Sequence, residues 1–135
     1  MHNLKFCNKL LSLLLLTFKQ NNLWFDIILT KNIFYMLHIF RGLGIIVNFF
    51  IFIKNKKNFC RVFLKYINLE IPFILPIFFY FKPSHKLSIT VKKLKKLTKK
   101  LGDVSLVIST SKGLKLHGDC IDLHIGGILY LIIYN

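Results

Sequence analysis

The chain has 135 residues, 20 Lys+Arg against 5 Asp+Glu and a formal net charge of +15, yet 54% of it is hydrophobic and its mean hydropathy is +0.55. That length suits one compact unit or two small subdomains sharing a core. Charge on this scale repels itself unless a polyanion neutralises it, so the expected partner is nucleic acid or an anionic membrane, not a small-molecule substrate.

The first expected element is a helix over Leu4–Lys19 whose apolar residues run nearly all the way round, so that most of its faces should be buried. Trp24–Leu29 reads as a short strand. Thr30 is placed to cap a second helix beginning at Lys31, with Arg41 in its last turn and Gly42 or Gly44 as the stop. Ile45–Ile53 and Phe59–Tyr66 then read as strands joined by the basic turn Lys54–Asn58, a hairpin. In the second of these, Phe59, Arg61, Phe63 and Lys65 share a face. That sets basic beside aromatic side chains and makes Arg61 a candidate RNA contact, although an ordinary solvated face would look the same.

Ile67–Glu70 marks the expected boundary between an N-terminal domain, 1–68, and a C-terminal domain, 69–135. Pro72 and Pro76 in "IPFILPIFFYF" argue for an edge or interrupted strand. Lys82 and Lys86 flank a basic turn and are further candidate RNA contacts. Leu87–Val91 is a short strand. Lys92–Leu101, "KKLKKLTKKL", is an amphipathic helix ended by Gly102. Leu94, Leu97 and Leu101 are expected to cover a sheet, leaving the lysines solvated or near phosphate. A basic amphipathic helix can also lie on a membrane, but one this short binds weakly alone. Val104–Ser109 and Gly127–Asn135 are the last strands, with a polar loop between them. The order is α-β-α-β-β followed by β-β-α-β-loop-β. This is an α+β chain of two small α/β subdomains, the second mostly β with one short helix.

The uncharged apolar runs Leu10–Phe18, Asn32–Phe40, Gly42–Ile53, Ile71–Phe81 and Leu123–Asn135 each fall short of the roughly 18 to 20 residues of a spanning helix. No membrane span is therefore expected. Cys7, Cys60 and Cys120 are odd in number, far apart and without a C-x-x-C, which argues against a disulfide framework or zinc ribbon and for buried thiols in a reducing compartment. The chain contains no alanine and a surplus of Phe, Ile, Leu, Lys and Asn. Folding does not demand that bias, since alanine is the best helix former. AT-rich codons explain it, and point to an AT-rich genome such as an organelle's. No Arg- and Ser-rich transit segment opens the chain, so import is not indicated, and the apolar start lacks a small-residue cleavage site.

The chemistry concentrates in Ser109-Thr110-Ser111-Lys112-Gly113, hydroxyls and one cation at a strand end. A catalytic serine would need a positioned base. His117 and His124 are the candidates, but no S-D-N or K-T-G companion accompanies the lysine. A nucleotide-binding loop would need G-x-x-x-x-G-K-[ST], which is absent. Contact with irregular RNA fits better. Hydroxyls serve base edges and 2′-OH groups, glycine admits the backbone closely, and lysine meets a phosphate. Taken on its own, the loop is explained better still as a plain polar turn. His117, Asp119, Cys120, Asp122 and His124 carry metal-ligating atoms, but their spacing matches no standard zinc pattern. The segment reads as a polar loop, with no metal and no cofactor.

"VISTSKG" at Val107–Gly113, followed by "IGG" at Ile125–Gly127 and an apolar terminal strand, resembles the bacterial-type small-subunit ribosomal protein eight family. "IPFILPIFFYFKPS", "LSITVKKLKKLTKKLG" and "RVFLKY" fall where that family has corresponding segments. The resemblance covers Arg61 to Asn135, and the first half matches in element order. It implies two small α/β domains bound to a helical junction in the central domain of small-subunit rRNA, beside neighbouring small-subunit ribosomal proteins. It gives the RNA contact to Ser109, Thr110 and Ser111, with Lys112 and Gly113 supporting and Gly126 and Gly127 packed beneath. It implies no catalysis. Two departures stand out: Ile128 occupies a usually acidic position, and "SLLLLTFK" carries leucines where the family's first helix carries arginines. Together with composition, the expected role is that of a structural constituent of an organellar small subunit, mitochondrial or else plastid-type. The alternative is a small basic membrane-associated protein.

Overall fold

The computed structural model describes residues 4–65, 77–79 and 87–134, which fall into two units, Met1–Ile74 and Leu75–Asn135. The boundary expected after residue 68, the proline-containing run before Ile77 and the turn holding Lys82 and Lys86 lie outside the described residues.

Unit one contains α1 (Leu4–Lys19), β1 (Trp24–Ile28), α2 (Lys31–Leu43), β2 (Ile46–Lys54) and β3 (Lys57–Leu64). Its strands form an antiparallel sheet in the order β1-β3-β2. Alternation decides the faces: Phe25, Ile27, Cys60, Val62 and Leu64 are buried, while their neighbours in sequence point the other way. Both helices bury a stripe, Leu10, Leu11, Leu14 and Phe18 from α1 and Ile33, Met36, Leu37 and Phe40 from α2. The expectation that α1 would be buried on most faces is corrected here, because Leu15 and Leu16 remain 43% and 48% exposed. The helix packs on α2 and β1, which leaves its far side uncovered.

The ends of α2 follow from its punctuation. The Thr30 side chain accepts a hydrogen bond from the Ile33 N–H, meeting one of the donors a helix start leaves unpaired. Gly44, at φ +78°, closes the helix. Its N–H donates to the Arg41 carbonyl and that of Ile45 to the Phe40 carbonyl, as in a Schellman stop. The β2–β3 turn is tighter than expected. Lys54 pairs with Lys57, leaving Asn55 and Lys56 at φ +51° and +61°, the signs of a type I′ turn.

Unit two contains β4 (Ile77–Phe79), β5 (Ser88–Ile89), α3 (Val91–Leu101), β6 (Val104–Thr110), β7 (Gly113–Leu116), α4 (His117–Leu123) and β8 (Gly127–Tyr134). The sheet order is β4-β8-β6-β7, with β5 also pairing with β8. Strand β8 is thus central, and its run from Ile128 to Ile133 is buried throughout. Strand β4 lies at the edge, where a segment preceded by prolines belongs. Helix α3 starts at Thr90, whose side chain accepts from the Lys93 N–H. Its Leu94 is fully buried with Leu106, Ile108, Cys120 and Leu129, and Leu97 and Leu101 pack against that cluster.

The polar loop expected between the last two strands is instead strand β7 and helix α4. Alternation of Leu114 and Leu116 continues the ladder from β6. The chain then turns helical so that Cys120 and Ile121 reach the core cluster. The helix ends on His124 at φ +55°, a left-handed residue whose N–H donates to the Ile121 carbonyl. Among the described residues, no helix is long and apolar enough to cross a membrane.

Candidate nucleic-acid interface

Strand pairing fixes the shape of the Ser109–Gly113 segment. Thr110 pairs with Gly113 and Ser109 with Leu114, so only Ser111 and Lys112 form the turn. Neither takes a positive φ, whereas Gly113 sits at +100°, the pattern of a type I turn closed by a glycine bulge. Glycine is required there because a side chain is strained at that φ.

The three hydroxyls divide between two tasks. Thr110 Oγ1 donates to the Gly113 carbonyl at 2.7 Å and accepts from the Lys112 N–H at 3.2 Å. It locks the turn from inside, and Thr110 is only 8% exposed. Ser109 is equally buried, at 7%. Ser111 and Lys112 are exposed. The tip therefore offers one hydroxyl, one ammonium group and the turn's backbone on a rigid base.

That base depends on Gly127. A Cβ there would stand 2.3 Å from the Ser109 carbonyl oxygen and 3.0 Å from Ile108 Cγ2. At Gly126 it would stand 2.7 Å from the Ile89 carbonyl oxygen. The glycine pair thus lets the start of β8 press against β6 on one side and β5 on the other, directly below the hairpin.

A residue that the sequence suggested only as a base or ligand has a structural task instead. His117 Nδ1 accepts from the Leu106 N–H at 3.2 Å. Leu106 lies one position beyond the last β6–β7 pair, Val107 with Leu116, where the chain leaves the ladder for α4. The imidazole replaces the backbone acceptor that the strand would have supplied. Burial pushes its pKa below the ordinary histidine value, partly opposed by Asp119. Burial also pushes the Cys120 thiol up, Asp119 adding to the effect and Lys115 opposing it. Among the described residues, no three His, Cys, Asp or Glu side chains gather to hold a metal ion.

Arg61, in unit one, is already engaged. Its Nε and Nη2 donate to the two carboxylate oxygens of Asp26 at 2.9 and 3.2 Å, across the β1–β3 pair. Its guanidinium carbon lies 3.9 Å from the centre of the Trp24 ring. The Asp26 hydrogen bonds raise its pKa. Two strands thirty-five positions apart in sequence supply this pair, which no local motif announces. Of the expected contacts, Ser109–Gly113, Gly126 and Gly127 come together in unit two, and Arg61 belongs to unit one.

Comparison with known proteins identifies relatives of the chain. The family model described as ribosomal protein S8 matches residues 17–134. The chain is 34% identical over 89 residues to the small ribosomal subunit protein uS8 of Citrifermentans bemidjiense, and equally to that of Geobacter sp. strain M21. In each case the match covers 66% of this chain and 66% of the relative. With most of its length inside one family model, the chain belongs to the ribosomal protein S8 family.

Proposed function

We propose that the chain binds and organises small-subunit rRNA as a structural, non-catalytic constituent of an organellar ribosome, mitochondrial in preference to plastid. Its partners are then the central-domain rRNA and neighbouring small-subunit ribosomal proteins. The domains are 1–68 and 69–135, the second carrying the principal RNA contact.

The observation that supports this best is the hairpin tip. Ser111 and Lys112 are exposed on a turn that Thr110 fixes internally, and a preorganised hydroxyl beside a cation suits an irregular RNA groove. Ser109, Thr110, Gly113, Gly126 and Gly127 hold that tip in position. Lys82 and Lys86 add phosphate contacts. Arg61 adds least, because Asp26 already meets its charge. The organelle rests on composition: no alanine and a surplus of AT-coded residues.

Two measurements test the reading. The chain should sediment with small subunits and leave them in high salt. Dependence on detergent for release would favour the membrane-associated alternative. Ser109→Ala with Ser111→Ala should weaken binding to the cognate junction more than to an unrelated RNA of equal length. Equal loss on both would remove the specifying role from the hairpin.

A further inference from the structure

Helix α3 carries Lys92, Lys93, Lys95, Lys96, Lys99 and Lys100 on eleven residues, with no acidic residue in it. All six lysines are exposed. Among the described residues none of them forms an ion pair. Lys92 and Lys93 sit in the first turn, where the helix dipole disfavours positive charge. Lys92–Lys96, Lys95–Lys99 and Lys96–Lys100 are like-charge neighbours one turn apart, which also destabilises a helix. Lys99 and Lys100, in the last turn, suit the dipole, but the first turn and the three like-charge pairs leave a net repulsion that an anionic partner would relieve.

We infer that the lysine face of α3 is a second RNA-binding surface, one that takes the phosphate backbone of an rRNA helix without regard to sequence. Two classes of anionic partner suit a basic amphipathic helix, a nucleic acid or an anionic membrane. The packing selects between them. Membrane binding of such a helix needs its apolar stripe free to enter the lipid. Here that stripe is taken: Leu94 is fully buried, and Leu97 and Leu101 pack on the same cluster. The short helix presents only charge outward, a row about 12 Å long from Lys92 to Lys100 at 1.5 Å per residue. A row of ammonium groups with no apolar insertion meets phosphates, releasing their counterions. It makes no base contacts, so it adds affinity where the Ser111–Lys112 tip adds discrimination.

The inference rests on the chain binding rRNA, and the test separates the two. The full chain is titrated with the cognate small-subunit rRNA junction and with an unrelated RNA duplex, over a range of salt. Wild type is compared with Lys95→Gln/Lys96→Gln/Lys99→Gln and with the same three changed to Arg. Glutamine keeps helix propensity close to that of lysine. The expected result is a salt slope shallower by about 2 to 3 for the Gln variant. Its loss of affinity should be alike on both RNAs, and the Arg variant should keep the wild-type slope. The RNA-free Gln variant should also melt no lower than wild type, since repulsion has been relieved. An unchanged slope, or equal loss in the Arg and Gln variants, overturns the α3 surface while leaving the hairpin reading standing. Binding of wild type to neither RNA overturns both. Phosphatidylserine vesicles are the remaining arm: if they displace the duplex from wild type but not from the Gln variant, α3 belongs to lipid and the inference falls.

Discussion

Replacing Gly127 by alanine separates the effect of space from that of backbone conformation. Gly127 does not have a positive φ, so alanine meets no backbone penalty there. The added methyl group, however, would stand 2.3 Å from the Ser109 carbonyl oxygen, more than 1 Å inside the 3.4–4 Å of ordinary contact. The obstructing atom is backbone in a paired strand and cannot swing aside as a side chain could. Relief requires β8 to move off β6 at the Ser109–Ile128 pair. Overpacking of this kind costs about 1–3 kcal/mol, and a lost ladder hydrogen bond adds about 1 kcal/mol. The expected destabilisation is then about 3 kcal/mol. A domain of this size melts about 4–8 °C lower per kcal/mol, so Tm should fall by more than about 10 °C. Gly118→Ala is the control. Nothing lies within 4 Å of a Cβ there, and the position is inside α4, so it should stabilise by about 0.5–1 kcal/mol. Thermal unfolding of the full chain by circular dichroism reads both. A Gly127→Ala protein melting within about 2 °C of wild type would refute the close approach beneath the hairpin.

Other consequences follow from single groups. His117 has a depressed pKa when folded, so the unfolded chain binds more protons between that value and the unfolded pKa of about 6.5. Stability from this group is complete above about pH 6.5 and is lost as pH falls towards the folded pKa. His117→Asn, which keeps an acceptor but does not titrate, should flatten that part of the stability–pH profile measured by denaturant midpoints; an unchanged profile would reject the role of His117. Lys56→Gly should raise stability by about 0.5–1 kcal/mol, because a side chain at its φ of +61° loses about 1–2 kcal/mol that glycine largely recovers. A lower urea midpoint would contradict the assigned turn. Cys60 is fully buried, and burial together with Asp26 pushes its pKa up to about 11. At pH 8 it should resist iodoacetamide until the chain is denatured, and rapid native labelling at this residue would contradict the packing of β3.

Where the sequence carried both a period and a punctuation mark, it was legible. Thr30 and Gly44 mark the ends of α2, and period-two alternation sorted the residues of β3 onto its two faces. Helix α4 hid because it is short, contains Gly118 and two aspartates, and buries only Cys120 completely. Its left-handed stop is His124, where glycine or asparagine would have been the usual signal. Strand β7 hid with it, being only Gly113–Leu116. The leucines of α1 overstated its burial, because composition gives the stripe but not how many neighbours cover it. The loop's composition suggested three equivalent hydroxyls. Only geometry separates Thr110, bonded within its own turn, from Ser111 at the surface. The Arg61–Asp26 pair depends on β1 lying beside β3, a long-range pairing that local pattern does not encode.

The role given to the hairpin is tested most directly by mapping ultraviolet protein–RNA crosslinks in native small subunits by mass spectrometry. A crosslink from Ser111 or Lys112 to small-subunit rRNA, lost when the subunits are stripped of this chain and reconstituted with a variant lacking the turn, is the predicted result. Crosslinks confined to other parts of the chain, with the Ser111–Lys112 peptide recovered unmodified, would contradict it.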